Sequence, residues 1–465
     1  MSEKTAKELK EELFYSSENG AETMSSAEIA QADEFCREYM DFLNRCMTER
    51  EAAAYFEEKA REAGFTAFEP GKKYAPGSRV YYNNRGKAVV LATIGRRSLR
   101  EGVRINAAHI DSPRLDLKPN PMYEDAELAL FKTHYYGGIK KYQWTAIPLS
   151  LHGVIIKRNG ETLTVNIGEA PGDPRFVVTD LLPHLADEQM KRTAPQVIRG
   201  EELNILIGSR PFRCDDESEK VKLNILNLLH EKYGIIEKDF LSAELTLVPA
   251  FPVSDIGFDR SMIGGYGHDD RVCSYPAAMA ALEARDPEVT CVTVLTDKEE
   301  IGSEGNTGLK SAYLRYFIED LAAMEGLAGR DVLAKSECLS ADVNAAFDPT
   351  FPDVHERRNA AYLNHGVCVT KYTGSRGKGG TNDASAEFMG RVRRFLEKDG
   401  VLWQTAELGK VDAGGGGTVA MYIANLGADV IDIGVPVLSM HAPYEVVAKV
   451  DVYAAYRAFS AFIQY

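Results

Sequence analysis

Val289-Thr-Cys-Val-Thr-Val-Leu-Thr296-Asp-Lys-Glu299-Glu300-Ile-Gly302-Ser303 is the stretch from which the fold is best read. Its first eight residues are β-branched or apolar, enough for one buried strand, and the run stops at charged residues and a glycine. Runs of the same type lie at 88–95, 103–108, 367–372 and 430–438, and helical stretches at 276–285 and 384–396 alternate with the later ones. Alternation of this kind predicts an α/β fold. Ahead of it the first 65 residues are helical in pattern. Thr48 and Glu51 form a capping box that opens a segment carrying Ala52, Tyr55, Phe56 and Ala60, and Gly64 stops it.

Between the early and late strands the character changes. The stretch is entered through Pro119-Asn120-Pro121 and left through Pro249-Ala250-Phe251-Pro252, clusters that suit linkers. Inside it, residues 154–158 and 161–165 flank Asn159-Gly160, a pair that favours a type I′ hairpin. The expected organisation is therefore a domain in two parts, residues 1–117 and 250–465, interrupted by a β-rich insert at 118–249. No internal repeat is visible, and the low-complexity tracts are two glycine clusters, 374–380 and 414–417.

At 465 residues the chain exceeds one ordinary core, and 45% hydrophobic with 26% charged residues is a globular mix. Fifty-four Lys plus Arg against 69 Asp plus Glu leave a formal charge of −15, the wrong sign for tracking a phosphate backbone, so nucleic acid is not an expected partner. No run of 18 apolar residues suggests a membrane span, and the polar start MSEKTAKELKEELF lacks a secretory pattern. Seven scattered cysteines, without a Cys-x-x-Cys pair, read as reduced thiols of a cytoplasmic protein.

Five short motifs carry titratable groups. In Asn106-Ala-Ala-His109-Ile-Asp111-Ser, strand period puts His109 and Asp111 on one face, where the carboxylate could fix the imidazole tautomer. A lone histidine after a strand is more often a hydrogen-bonded core residue. Glu299 and Glu300 end an apolar strand, where one could bind metal while the other moves a proton; the plainer reading is a solvated acidic loop. Gly264-Gly-Tyr-Gly267-His268-Asp269-Asp270-Arg271 reads equally as a turn with a local ion pair. Ser340-Ala-Asp342 and Val437-Leu-Ser-Met-His441 each close a strand. Together the motifs offer two histidines and three or four carboxylates, the donor set that two zinc-like ions share through a bridging carboxylate. One carboxylate is then left as general base, which is hydrolase chemistry.

In this order the five motifs resemble the M18 family of metallo-aminopeptidases, most of all its bacterial aminopeptidase 1 branch. Further matching segments are Tyr136-Gly137-Gly138 with Trp144, Pro183-His184-Leu185-Ala186, and Lys371. The resemblance implies a mixed-sheet zinc exopeptidase catalytic domain of α/β class with an inserted β-rich assembly domain. It implies two Zn²⁺ per subunit, with Co²⁺ or Mn²⁺ as substitutes. His109, Asp269 and Asp342 would hold one ion, and Asp269, Glu300 and His441 the other. Glu299 is implied as the general base, Asp111 as the residue orienting His109, and Lys371 and His184 as substrate contacts. Peptides with a free N-terminus are the implied substrates, and a homo-oligomer, dimers assembling to a tetrahedral dodecamer, the implied state.

The chain departs from the family in places. Asp342-Val-Asn-Ala345-Ala-Phe-Asp348-Pro349 lacks two histidines usual after the fourth motif, His268 stands where a leucine is common, and the segment after Ala186 diverges. An acidic N-terminal preference is therefore not implied. Gly374-Ser-Arg-Gly-Lys-Gly379-Gly380-Thr381 has glycine where a phosphate loop needs lysine, and His355-Glu356-Arg-Arg-Asn359 lacks the second histidine of a zinc helix. No Gly-x-Ser-x-Gly elbow occurs. The alternatives to an aminopeptidase are another di-metal hydrolase, such as a deacylase or carboxypeptidase, and a non-catalytic assembly protein on the same fold.

Overall fold

The structure, a computed structural model, describes residues 4–214 and 217–465; the first three residues of the polar start lie outside it. A nine-stranded mixed sheet forms the centre. Its order is Thr66–Ala67, Arg79–Asn84, Ala88–Thr93, Cys291–Thr296, Arg104–His109, Glu337–Ala341, Asp429–Gly434, Val367–Thr370, Trp403–Thr405. The four middle strands from Cys291–Thr296 to Asp429–Gly434 run parallel, and the outermost two of the four are each flanked by an antiparallel neighbour. Both faces are covered, which is why these strands read as continuous apolar runs. Helices Ser26–Arg45, Glu49–Glu62, His268–Glu283, Ala386–Lys398 and Lys449–Gln464 pack on one face, and Tyr313–Ala323, Gly329–Leu333 and Ala420–Ala424 on the other. The expected α/β class stands.

Residues 114–249 build a second, seven-stranded sheet, antiparallel in its main ladder, over its own core around Trp144, Leu149 and Leu247. Strand Arg114–Asp125 runs unbroken through 117–118. Pro119-Asn120-Pro121 is therefore no linker but a register shift inside that strand, because neither proline can donate to the ladder. The hairpin at Asn159-Gly160 also differs from expectation. Ile156 pairs with Thr162, Lys157 N donates to Glu161 O, and only Gly160 has a positive φ, of 83°. A three-residue loop with glycine in the left-handed position replaces the type I′ turn. The helix expected from 276 begins at His268 with Pro276 inside it, and the expected strand 430–438 splits into Asp429–Gly434 and Pro436–Leu438, which join different sheets.

Candidate active site

Parallel strands aim their carboxyl ends at one edge of the sheet, and functional groups collect there. His109 ends Arg104–His109. Glu299 and Glu300 follow Cys291–Thr296 after Lys298, whose φ of 69° turns the chain back, and Asp342 follows Glu337–Ala341. Asp269 enters at the irregular start of His268–Glu283, where it and Asp270 are not helical. His441 follows Pro436–Leu438 with φ 63°.

These side chains, separated by as many as 332 positions, converge. His109 Nε2 lies 3.1 Å from Asp269 Oδ1 and 3.9 Å from Asp342 Oδ1. His441 Nε2 lies 3.1 Å from Asp269 Oδ2 and 3.6 Å from Glu300 Oε2. Ligand atoms about 2.0–2.1 Å from a tetrahedral zinc are about 3.3 Å from one another, and both histidine contacts to Asp269 are close to that spacing; among the described residues, one ligand atom each from His109, Asp269 and Glu300 lie within 4.8 Å of one another. Asp269 serves both, one oxygen each. Glu300 Oε1 is buried without a hydrogen-bond partner, as a ligand atom waiting for a cation would be.

The imidazoles are turned to match. His109 Nδ1 donates to the Asp111 carbonyl at 3.0 Å and lies 3.3 Å from its carboxylate. His441 Nδ1 donates to the Gly138 carbonyl at 2.7 Å. With Nδ1 protonated in each, the neutral ring turns an Nε2 lone pair on a carboxylate oxygen, an arrangement that needs a proton or a cation between them. Asp111 is a wider junction: its carboxylate also accepts from Glu299 N at 3.1 Å, Glu300 N at 3.2 Å and the Tyr136 hydroxyl at 2.7 Å.

Electrostatics sharpen the picture. Burial, then the Asp269 charge, lifts the Glu300 carboxyl well above its usual range, and burial with Glu299 and Asp270 does the same to Asp342. Burial pushes Glu299 up to about 7. Burial opposes charge on Asp269 too, but hydrogen bonds from His109 and His441 overcome it and hold this carboxyl well below the usual range. For His441, burial is outweighed by Asp269 and Glu300, and its pKa rises to about 11. A knot of buried acids around two imidazoles favours cations.

Lys371 and His184 are not brought to this cluster. Lys371 pairs with Asp383 at 3.2 Å, His184 sits exposed on the turn Pro183–Leu185, and among the described residues neither hydrogen-bonds or ion-pairs with the cluster. His268 points away, its Nδ1 2.7 Å from the Tyr39 hydroxyl, and burial lowers its pKa to about 3. Glu445, which no motif flagged, is fully buried, with Oε1 accepting from His441 N at 2.7 Å and Oε2 from Asp269 N at 3.2 Å. Its place one strand beyond His441, in Glu445–Ala448, was the only available signal.

Residues 42–463 match the family described as Peptidase_M18, aminopeptidase I zinc metalloprotease. A probable M18 family aminopeptidase 1 of Clostridium acetobutylicum is 51% identical over 433 residues, covering 91% of this chain and 93% of its own length. One of Thermotoga maritima is 45% identical over 439 residues, covering 93% and 96%. The crystal structure of the M18 aminopeptidase from Thermotoga maritima superposes with a TM-score of 0.93 at 44% identity, covering 97% of this chain and all of that one. For aminopeptidase I from Clostridium acetobutylicum the TM-score is 0.92 at 47% identity, with the same coverage. The class is thereby defined: a zinc-dependent peptidase, a hydrolase of the aminopeptidase type. Within that class the chain belongs to the M18 family.

Proposed function

We propose that this chain removes N-terminal residues from peptides at two zinc ions bridged by Asp269, with Glu299 as general base. The observation that carries the reading is Asp269 itself, whose two oxygens each lie 3.1 Å from the Nε2 of a different histidine. His109 and Asp342 complete one shell, Glu300 and His441 the other. Zinc bound there supplies Lewis acidity, polarising a peptide carbonyl and acidifying a water. Glu299 belongs to neither shell. Its carboxylate takes a proton from the attacking water and returns it to the leaving amine nitrogen as the C–N bond breaks. Asp111 keeps His109 in the ligating tautomer and, through the Glu299 and Glu300 backbone amides, holds base and ligand on one turn. Lys371 and His184 are assigned to the substrate on resemblance alone. Residues 118–249 are proposed as the assembly domain of a homo-oligomer, a tetrahedral dodecamer built from dimers. A more distant relative, yeast mApe1, is described as a dodecamer. Seven free cysteines, six of them buried, suit the cytoplasm, and no helix among the described residues is long and apolar enough to cross a membrane.

The test uses aminoacyl chromogenic substrates. A chelator should abolish turnover, and Zn²⁺, Co²⁺ or Mn²⁺ should restore it. Glu299→Gln should keep both metals yet lose about 10²–10⁴-fold in kcat. Full activity in that variant, or cleavage only of acyl-blocked peptides, overturns the reading.

A further inference from the structure

Both ligating imidazoles are oriented by groups that lie next to each other on the second sheet. Strand Leu128–Tyr136 delivers Tyr136, 9% exposed, whose hydroxyl donates to Asp111 Oδ2 at 2.7 Å; the other oxygen of that carboxylate lies 3.3 Å from His109 Nδ1, which also donates to the Asp111 backbone carbonyl at 3.0 Å. Two residues later the Gly138 carbonyl accepts from His441 Nδ1 at 2.7 Å. The Tyr136 ring is braced from outside by the Arg114 guanidinium, 3.9 Å from the ring centre, and Arg114 pairs with Glu49 at 3.1 Å at the start of helix Glu49–Glu62. Gly137 stands between the two contacts with φ 78°, where a Cβ would come within 3.0 Å of Glu300 Oε2. The tip therefore touches the surroundings of both proposed metals within three residues, although it belongs to a sheet that contributes no ligand.

We propose that Tyr136 is a positioning residue for the metal held by His109, and that the tip 136–138 links the affinity of the metal pair to the seating of the second sheet. Resting on the two-metal reading above, the proposal adds which residues set each ion's affinity. An outer partner that fixes ring orientation typically changes metal affinity ten- to a hundredfold when removed. Tyr136→Phe keeps the ring on Arg114 and deletes only the donor. Gly137→Ala presses instead on Glu300, which belongs to the other ion.

The experiment is competition between the protein and a chromogenic chelator for Zn²⁺, resolving two binding steps, with the melting temperature of the metal-stripped protein as control. Wild type should bind two ions. In Tyr136→Phe one step should weaken by about tenfold, clearly more than the other. Gly137→Ala should weaken the opposite step, and should Tyr136→Phe not fold, this variant decides alone. Unchanged affinities, or equal weakening of both steps alongside a fallen melting temperature of the stripped protein, overturn the proposal and leave a structural role only. Should wild type bind no zinc, the two-metal reading fails first, and the two failures are distinct.

Discussion

Asp269 can face two histidines at once because its backbone leaves the helix early: its ψ of 110° swings the carboxylate across the sheet edge before helical geometry resumes. Glu445 fixes this arrangement by accepting from the backbone N–H groups of both Asp269 and His441. The protonation states make a prediction at this scale. His441 is raised to about 11 and His109 well above its ordinary value, so each Nε2 carries a proton that an incoming cation must displace. Affinity must then rise with pH across the neutral range, about tenfold per unit for each proton released. Zinc competition at pH 6, 7 and 8 checks the slope, and a pH-independent constant contradicts it. His109, Glu299 and Glu300 were legible because apolar runs end in them, and Asp111 because it follows His109 so closely, although the strand stops at His109 and a strand period does not place the pair. Glu445 was not, and Tyr136 was singled out by resemblance without a role, since an outer contact arises from tertiary approach and leaves no local pattern.

At the level of elements, a buried imidazole joins the second sheet to helix Glu49–Glu62, which packs on the first. His152, on strand Leu149–Ile156, lies 2.8 Å from Glu51 through Nδ1 and 2.9 Å from Glu169 through Nε2, while Glu51 also accepts from Met47 N and Thr48 N at the start of its helix. Burial opposes charge on His152, but the two carboxylates prevail and raise its pKa to about 9. A raised folded-state pKa means that this stabilisation is complete below the unfolded value near 6.5 and is lost as pH climbs through about 9. The melting temperature should therefore fall between pH 6.5 and 9.5, and His152→Gln, expected to cost about 1–3 kcal/mol at neutral pH, should flatten that dependence. A parallel fall in wild type and variant removes His152 as the cause. The Thr48–Glu51 capping box was readable from sequence because it is local, and the helix forms as expected over Glu49–Glu62. That the same Glu51 anchors a strand a hundred positions away was not, because periodicity carries no information about which elements meet. Pro119 and Pro121 misled for the opposite reason: a proline pair signals broken pairing, but a register shift inside a strand breaks pairing as well as a linker does.

The whole molecule exposes more surface than a lone chain of its mass should. A monomer of 51.3 kDa is expected to present about 17,000 Å², whereas this chain presents 22,293 Å². Part of the surplus is apolar, and the second sheet's outer turns carry a share of it, with Leu181, Leu182, Leu185 and Met190 50–71% exposed within ten positions of one another. Such a patch is costly in water, and on a protein carrying a formal charge of −15 the repulsion between copies must be overcome by burial of this kind. The chain should therefore sediment and scatter light as a multiple of 51.3 kDa, and added salt, which screens the repulsion without weakening apolar contact, should leave the assembly intact or tighten it. Leu181→Asp with Leu185→Asp puts carboxylates into that patch and should lower the native mass, while the zinc shell, built from the first sheet's strand ends, keeps its metal content. A wild-type mass of one chain, or a double variant that assembles as wild type does, removes this patch as the adhesive surface. Loss of mass together with loss of zinc would instead mean that assembly holds the second sheet in place over the metal shell.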